Sequence, residues 1–290
     1  MSGMTTRRTS VVDAAGAGSA MTTAGVRSGL RVLTYNVHSF VGADHVYDPE
    51  RTARVIEAAR ADIVALQEVD FGRGPAAEHS AVERLASRLG MRCHFTYTRD
   101  GTRGHFGNAV LTPHALELVA EGMLPRRRDE ARAVQWLKIR SESFGIHLMN
   151  THLSVSFRER QAQTSALLGA EWAQQAGTDL PLVICGDFNA SPWSLVYRRL
   201  SRDLKDAQCG KTRQATWPSR LPLVRIDHIF VSRDVEVRAT RVLRDGLARL
   251  ASDHLPLLAE LGLPPAQNTS SSELFSSKSP DLTSDGVTLS

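Results

Sequence analysis

The sequence has few cysteines and no long apolar run, and both absences narrow the class of protein. Its three cysteines, Cys93, Cys185 and Cys209, are odd in number and have neither paired nor metal-ligand spacing, which excludes a disulfide framework and a zinc site. This usage is typical of a reducing compartment, so we expect a cytoplasmic protein. No stretch of about 18 consecutive apolar residues occurs, so no membrane-spanning helix is predicted.

The two ends of the sequence lack the composition of a folded domain. Residues 1–29 are rich in Ala, Gly and Thr without a continuous apolar segment, which predicts a disordered extension rather than a secretory signal. Residues 264–290 are rich in Ser, Thr and Asp, which predicts a disordered tail. The globular part is therefore expected to span residues 30–263.

Short β-rich runs alternate with longer amphipathic segments in this globular part. Asp48 is a candidate N-cap, and Pro49 suits the first helical position because its missing N–H is not needed there. Many short strands with few, irregularly placed helices favour packed sheets covered by helices over a regular βαβ repeat. The pattern alone predicts an α+β protein in which two sheets are possible. The predicted helices are 49–60, 78–89, 158–176 and 194–200.

Polar side chains recur at the ends of the apolar runs. A carboxylate that follows several apolar residues is costly to bury alone, so such groups are normally paired, hydrogen-bonded or metal-bound. A single occurrence would fit ordinary turn chemistry, since Asp and Asn are common where strands end. Their recurrence predicts one convergent site instead. The segments TYNVH, LQEVD, MNTHLS, CGDFNA, RIDHIF and ASDHLP contain Asn36, Glu68, His152, Asp187, Asn189, Asp227, Asp253 and His254.

These residue types are the ones that phosphoester hydrolysis requires. Oxygen ligands from Glu, Asp or Asn hold a hard cation, which neutralises the phosphate and stabilises the leaving oxygen. A carboxylate can orient and deprotonate the attacking water. Imidazoles can stabilise charge on the phosphoryl oxygens or protonate the leaving group. We therefore predict a divalent-metal-dependent phosphoester hydrolase.

The order of the motifs makes this prediction more specific. Read along the chain, TYN, LQEV, FGNA, NTHL, GDFN, IDHIF and SDHLP resemble the motifs of the endonuclease/exonuclease/phosphatase family, from about Leu30 to Leu263. The resemblance implies a four-layer αββα sandwich of two mixed β-sheets covered by helices, with the active site at one edge between the sheets. It also implies that residues 30–263 form one catalytic domain.

The resemblance implies a role for each acidic and amide residue of the motifs. Glu68 resembles the principal ligand of Mg²⁺ or Mn²⁺, with Asn36 and Asp253 supporting it. Asp187 resembles the residue that positions or deprotonates the attacking water, and Asn189 resembles its orienting partner.

The histidines resemble groups that act on the phosphate. His254 resembles the imidazole that contacts the scissile phosphate, with Asp227 holding its tautomer and raising its pKa. His152 resembles the second catalytic histidine, although a histidine after Thr can also cap a turn.

Two further residues are candidates for substrate binding. Asn108, in FGNA, resembles an amide on the phosphate side of the site. Arg132 can contact a phosphate bidentately or pair with Glu130 on the surface.

The motifs narrow the substrate only to a class. NTHL places a histidine where abasic-site endonucleases carry a Tyr-containing segment, and Asn36-x-His38 replaces their Asn-x-Asp pattern, so the chain resembles the deoxyribonuclease I and sphingomyelinase branch. We expect a monomeric enzyme that acts on a phospholipid head group or another small phosphoester. A nucleic-acid endonuclease is the alternative, and a non-catalytic binding module is the third hypothesis. The net charge of +4 separates none of these, because phosphate contacts by Arg and Lys are generic.

Overall fold

Two mixed β-sheets packed face to face form the centre of the fold. The computed structural model describes residues 11–12, 29–71, 80–101, 104–176, 179–208 and 214–263, so most of the two predicted disordered ends lies outside the described residues. The strands of the first sheet are β1 (Val11–Val12), β2 (Leu30–Asn36), β3 (Ile63–Phe71), β4 (Arg92–Gly101), β5 (Gly104–Thr112), β12 (Glu236–Val242) and β13 (Leu257–Gly262). Those of the second sheet are β6 (Ala115–Met123), β7 (Ala133–Arg140), β8 (Gly145–His152), β9 (Leu182–Asp187), β10 (Lys205–Asp206) and β11 (Asp227–Val231).

Each sheet combines parallel and antiparallel neighbours. The first has the strand order β1-β4-β5-β3-β2-β13-β12, and the second has the order β10-β11-β9-β8-β7-β6. Strands β2 and β3 run parallel, as do β8 and β9, while the other paired strands of the described residues are antiparallel.

Helices cover the outer face of each sheet. Helices α1, α2 and α5 pack together on the side of the first sheet, and α3 and α4 pack together on the side of the second. This arrangement confirms the predicted αββα sandwich. The predicted helix 158–176 is too long, since α3 ends at Leu167. Gly169 follows shortly after this end, and glycine is a poor helix former. The helices are α1 (Pro49–Ala59), α2 (Ala81–Leu89), α3 (Phe157–Leu167), α4 (Leu195–Asp203) and α5 (Gly246–Ala251), with a 3₁₀ turn at His38–Phe40.

Helix starts follow their capping residues. Asp48 Oδ1 accepts the backbone N–H of Arg51 at 2.9 Å, which confirms the predicted cap of α1. Ser80 and Glu83 form a reciprocal capping box at the start of α2. None of the helices in the described part of the chain has both the length and the apolar character needed to cross a bilayer.

Strand β9 shows how the core positions the polar residues. Val183 and Cys185 face the core between the sheets, whereas Leu182 and Ile184 face the core beneath α3 and α4. Burial on both faces explains the continuous apolar run LVIC. Because side chains alternate along a strand, Asp187 continues the series that faces the gap between the sheets.

The ends of several strands meet at one edge of the sandwich, which we call the site edge. Asn36 pairs with Gln67, His152 with Asp187, and Asp187 with Asp227. The carboxyl ends of β2, β3, β8 and β9 therefore lie at the same edge as the start of β11. We call the other edge the turn edge; its connections are 60–62, 113–114, 141–144, 179–181 and 232–235.

Candidate active site

Asp187 lies at the centre of the site. Its Oδ1 accepts a hydrogen bond from the backbone N–H of Asn189 at 2.8 Å. Its Oδ2 accepts one from Asn36 Nδ2 at 3.0 Å. The side chain is only 2% exposed, so both oxygens are held in fixed directions.

The backbone on either side of Asp187 allows a close approach of strands. Gly186 has a φ of +145°, and a Cβ there would lie 1.8 Å from the carbonyl oxygen of Thr151 on β8. Only glycine therefore fits at this position. Asn189 has a φ of +47°, in the left-handed region that asparagine tolerates better than most residues.

A β-bulge in β3 brings Glu68 beside Asp187. The ladder between β3 and β5 shifts register between Leu66 and Val69, which leaves one extra residue in β3. Glu68 lies in this bulge with a φ of +54°, and its Oε1 accepts a hydrogen bond from Asn36 Nδ2 at 2.9 Å. The same nitrogen donates to Asp187, so two carboxylates share one donor.

His254 lies between two carboxylates. Its Nδ1 is 3.0 Å from Asp227 Oδ2, and its Nε2 is 3.7 Å from Asp187 Oδ2. Burial disfavours the charged ring, but the charges of Asp227 and Asp187 outweigh burial and raise the pKa of His254 to about 10. His254 is therefore an imidazolium at neutral pH, with an N–H on each ring nitrogen.

His152 is held in the opposite charge state. Burial and the charge of Arg132 hold the pKa of His152 well below its usual range, so the ring is neutral. Arg132 Nη1, 2.8 Å from Nδ1, and Asn189 Nδ2, 3.1 Å from Nε2, are both donors, and the neutral ring can accept from only one of them. The shorter, charge-assisted bond from Arg132 favours the tautomer that has its proton on Nε2. Nε2 lies 3.4 Å from Asp187 Oδ2, beside the Asn189 amide.

The environment of Asp187 suits a group that exchanges protons. Burial raises its pKa to about 7, although the charge of His254 and the hydrogen bonds from Asn189 and Asn36 act against this rise. The neighbouring charge of Asp227 acts in the same direction as burial. A carboxylate with this pKa can accept a proton from water near neutral pH.

The donor groups fit a hard divalent cation. Glu68, His152 and Asp187 each offer a ligand atom within 4.8 Å of the others, and Asp187, Asp227 and His254 form a second such group. A cation does not fit the second group, because His254 is itself the positive charge there. Glu68 and Asp187 bring two carboxylates together, and carboxylate oxygens are the ligands that Mg²⁺ and Mn²⁺ prefer.

The remaining predicted metal residues lie around this pair of carboxylates. Asn36 Oδ1 accepts the backbone N–H of His38 at 3.0 Å, so its amide nitrogen faces Glu68 and its oxygen faces away. Asp253 Oδ2 lies 3.4 Å from Trp217 Nε1. Its Oδ1 lies 3.8 Å from His38 Nδ1, on the outer side of the site.

The predicted substrate-binding residues lie on the β7 side of the site. Asn108 Nδ2 donates to the carbonyl oxygen of Ala133 at 3.3 Å. Arg132 contacts both His152 and Glu130, the latter at 3.6 Å. Arg132 Nε is buried and finds no hydrogen-bond partner among the described residues.

Sequence reasoning missed several residues that build the site. Ser252 Oγ donates to the carbonyl oxygen of Asn36 at 2.8 Å and accepts the backbone N–H of His254 at 3.2 Å, which ties β2 to the SDH motif. In the sequence, the position of Ser252 in the tripeptide SDH could have indicated this role. The guanidinium of Arg160 lies close enough to Asp187 for that carboxylate to favour its charged form, although burial lowers the pKa of Arg160 overall.

A buried amide network joins the two sheets behind the site. Asn150 Nδ2 lies 3.0 Å from the carbonyl oxygen of Leu66, 3.1 Å from that of Ala109 and 2.8 Å from Gln135 Oε1. Asn150 Oδ1 accepts from Gln67 Nε2 at 2.7 Å. The network therefore supplies donors to the two carbonyls next to the bulge that carries Glu68. Nothing in the sequence spacing indicates it.

The fold and the site together define a class of protein. A buried cluster of carboxylate, amide and imidazole groups between the sheets of an αββα sandwich is the architecture of a phosphoester hydrolase. The model of the endonuclease/exonuclease/phosphatase family matches residues 33–254, and the chain belongs to that family. This confirms the family predicted from the motifs.

Individual proteins show the same likeness. The uncharacterized protein YbhP of Escherichia coli (strain K12) is 31% identical over 250 residues, which cover 80% of this chain and 96% of YbhP. The human Nocturnin catalytic domain with bound sulfate anion has a TM-score of 0.62 at 24% identity, over 82% of this chain and 94% of that one. The mannosyl-6-phosphatase of Bacteroides thetaiotaomicron VPI-5482 has a TM-score of 0.64 at 20% identity, over 80% and 99%. At these identities the two structures show the shared fold alone.

Proposed function

We propose that the protein is a Mg²⁺- or Mn²⁺-dependent hydrolase that cleaves a phospholipid head group or another small phosphoester by in-line attack of water. The observation that carries this proposal is the position of Asp187. One buried carboxylate lies within 3.7 Å of an imidazolium, a neutral imidazole and an amide that also holds Glu68. These are the groups that a water-activating base and a charge-stabilising pocket require.

Asp187 acts as the base in this proposal. Its pKa of about 7 lets it take a proton from the attacking water, and Asn189 and Asn36 fix the direction of its two oxygens. Glu68 would hold the cation, with Asp187 beside it. When bound, the cation neutralises phosphate charge and stabilises the leaving oxygen.

The two histidines supply N–H groups to the phosphoryl oxygens. His254 carries a proton on Nε2 because Asp227 holds its Nδ1–H, and His152 carries its proton on Nε2 because Arg132 donates to its Nδ1. Both Nε2 atoms face Asp187, so a phosphate placed against the attacking water would contact both. A phosphate oxygen would also satisfy the unpartnered Nε of Arg132.

A substrate screen with and without metal tests the proposal. The purified protein is incubated with bis-p-nitrophenyl phosphate, p-nitrophenyl phosphate, phospholipids, inositol phosphates, plasmid DNA and RNA, in EDTA and then in excess Mg²⁺ or Mn²⁺. We expect hydrolysis of lipid or small phosphoesters that EDTA abolishes and metal restores. Full activity in EDTA would contradict the metal assignment, and cleavage confined to DNA or RNA would identify the nuclease instead.

A further inference from the structure

Exposed apolar side chains concentrate at the site edge. Among the described residues with large exposed apolar side chains, only Val119 lies in the middle of a strand, away from this edge. Met123 is the last residue of β6, at the site edge, and the others lie in the loops and first helical turns that follow or precede the strands of the site. We call them the apolar rim: Val46, Tyr47, Met123, Val155, Phe157, Trp193, Leu195, Trp217, Leu221 and Leu223.

Several of these side chains are largely exposed. Trp193 is 82% exposed, Leu223 is 71% exposed and Val155 is 68% exposed. Isolated apolar residues on a surface are normal, but a group collected around one site marks a binding surface.

The apolar rim surrounds the site from more than one side. The loop that carries Leu221 and Leu223 also carries Trp217, whose indole contacts Asp253. Arg220 Nη2 in the same loop donates to the carbonyl oxygen of Ala43 at 2.7 Å, which fastens it to the loop bearing Val46 and Tyr47. On the other side, Val155 and Phe157 follow the catalytic strand β8, and Trp193 and Leu195 follow β9.

Basic side chains accompany the apolar ones. Arg126, Arg127, Arg128 and Arg158 are exposed, and three of these arginines line a cavity of about 640 Å³ together with Pro125 and Phe157. Three acidic residues, Asp129, Glu130 and Glu159, lie close to these arginines in sequence, so the cluster has a net charge of +1. Glu159 is buried, and its Oε1 accepts the backbone N–H groups of residues 127, 128 and 129 at 3.0, 2.8 and 3.2 Å.

We propose that the apolar rim and its arginines dock the protein onto an anionic phospholipid bilayer, so that the site meets its phosphoester at the lipid surface. Exposed Trp, Phe, Leu and Val beside Arg are the side chains that enter a membrane interface, where the apolar part is buried and the charge meets lipid phosphate. A rim spread around an opening suits a flat surface, whereas a protein ligand helix would need a continuous groove.

Two observations favour a bilayer over other occupants. Six of the ten rim residues have no aromatic ring, and such side chains do not stack on bases as a single-stranded nucleic-acid platform would require. The described chain also begins its first long strand and ends its last one at the turn edge, since Leu30 pairs with Leu261 there. Gly29 and Leu263, which flank these strands, therefore lie on the far side of the sandwich from the apolar rim.

The inference that a lipid is the substrate rests on the proposed function, whereas the inference that the protein docks on a bilayer does not. The test therefore measures docking first, by co-sedimentation of the full chain with vesicles. Phosphatidylcholine vesicles containing about one third phosphatidylglycerol are compared with pure phosphatidylcholine vesicles. We expect binding to the anionic vesicles that added salt weakens.

A rim variant and a matched control assign the surface. The triple substitution Trp193→Ser, Leu221→Ser and Leu223→Ser should lower the vesicle partition coefficient at least ~10-fold, because three apolar side chains no longer leave water. Val119→Ser, at an exposed apolar position outside the rim, should bind as wild type does. Arg126→Glu with Arg127→Glu and Arg128→Glu should remove the preference for anionic vesicles.

Separate outcomes distinguish this inference from the proposed function. Equal vesicle binding by wild type and the rim variant, or no binding by either, overturns the docking surface. Binding to single-stranded DNA that the rim substitutions abolish would assign the surface to nucleic acid and also overturn it. Hydrolysis of bis-p-nitrophenyl phosphate should be unchanged in the rim variant; if the wild type hydrolyses no ester at all, the proposed function fails while the vesicle result stands.

Discussion

The two edges of the sandwich distribute their side chains in opposite ways. At the site edge, Asp187, His152 and His254 are buried while Trp193 and other rim residues are exposed. At the turn edge the described connections are short, and their carboxylates are partly exposed to solvent. Asp62, one of them, accepts the backbone N–H of Arg31 at 2.7 Å.

The two edges therefore differ in how their polar groups affect the free energy of folding. Burying carboxylates and imidazoles is unfavourable unless each is paired, and the site edge achieves this only through a dense set of mutual contacts. The turn edge has fewer such contacts, and because Asp179 in its ion pair with Lys138 is half exposed, that pair contributes little. Equivalent substitutions at the two edges should therefore differ strongly in effect.

The largest difference is expected for removal of Asp187, the proposed base. Asp187→Asn should lower kcat at least ~10²-fold, because an amide cannot take the proton of the attacking water. Asp179→Asn makes the same chemical change at the turn edge and should leave kcat unchanged. Steady-state kinetics on bis-p-nitrophenyl phosphate measure both, and wild-type rates for Asp187→Asn would remove this residue from the mechanism.

The amide network behind the site should matter for folding rather than for chemistry alone. Asn150→Leu leaves the carbonyl groups of Leu66 and Ala109 and the amide of Gln67 without their buried partner, so the free energy of unfolding should fall by about 2 kcal/mol. Urea denaturation measures this loss. The exposed amide of Gln175 offers a control, since Gln175→Leu should change stability little. Equal midpoints for the two variants would contradict the role of the network.

A smaller effect is expected from the residue that sets the tautomer of His152. Arg132→Met removes the donor to His152 Nδ1 but leaves the imidazole in place, so it should lower kcat by less than the ~10²-fold at which the loss of a proton-transfer group begins. Glu130→Gln removes only a surface partner of Arg132 and serves as the control. If Arg132→Met raised KM without changing kcat, Arg132 would be a phosphate-binding residue alone.

The smallest effect is expected at the turn edge. Hydrogen bonds from His147 and Lys138 lower the pKa of Asp179 to about 2 from 3.8. A lowered carboxyl pKa stabilises the fold above pH 4, and this contribution is lost as the pH falls toward 2. Because Asp179 is half exposed, Asp179→Asn should cost only about 0.5 kcal/mol at pH 7.

Urea midpoints between pH 7 and pH 3 follow this contribution. The stability difference between wild type and Asp179→Asn should shrink as the pH falls below 4. A difference that grows with acidity would show that the ion pairs do not stabilise the folded state.

Much of the site edge could be predicted because each of its polar residues interrupts an apolar run. Asp187 after LVIC and Glu68 after IVALQ are conspicuous in sequence, and the order of the motifs then gave the sandwich. The N-cap of α1 at Asp48 could be predicted for the same reason, because it depends only on neighbouring residues. Local signals therefore sufficed wherever the strand or helix itself positions the side chain.

Two strands, β6 and β12, are not among the β-rich runs of the sequence, because their compositions conflict with their structure. Strand β6 (ALELVAEGM) is made of good helix formers, and its pairing with β7 overrides that preference. Strand β12 is half exposed and contains two arginines, so its apolar alternation is weak. The contacts of Asn150 depend on a bulge in another strand, which no spacing along one segment can encode.

Because Gly186 has no side chain, the main chain alone sets part of the geometry of the site, and the loops around the site do not. Since main-chain atoms of β8 and β9 set how far His152 lies from Asp187, that spacing does not depend on the loops at the site edge. The length, charge and apolar content of these loops can therefore change without altering that spacing. The chemistry of the site can therefore stay constant while the substrate or surface that the loops contact changes.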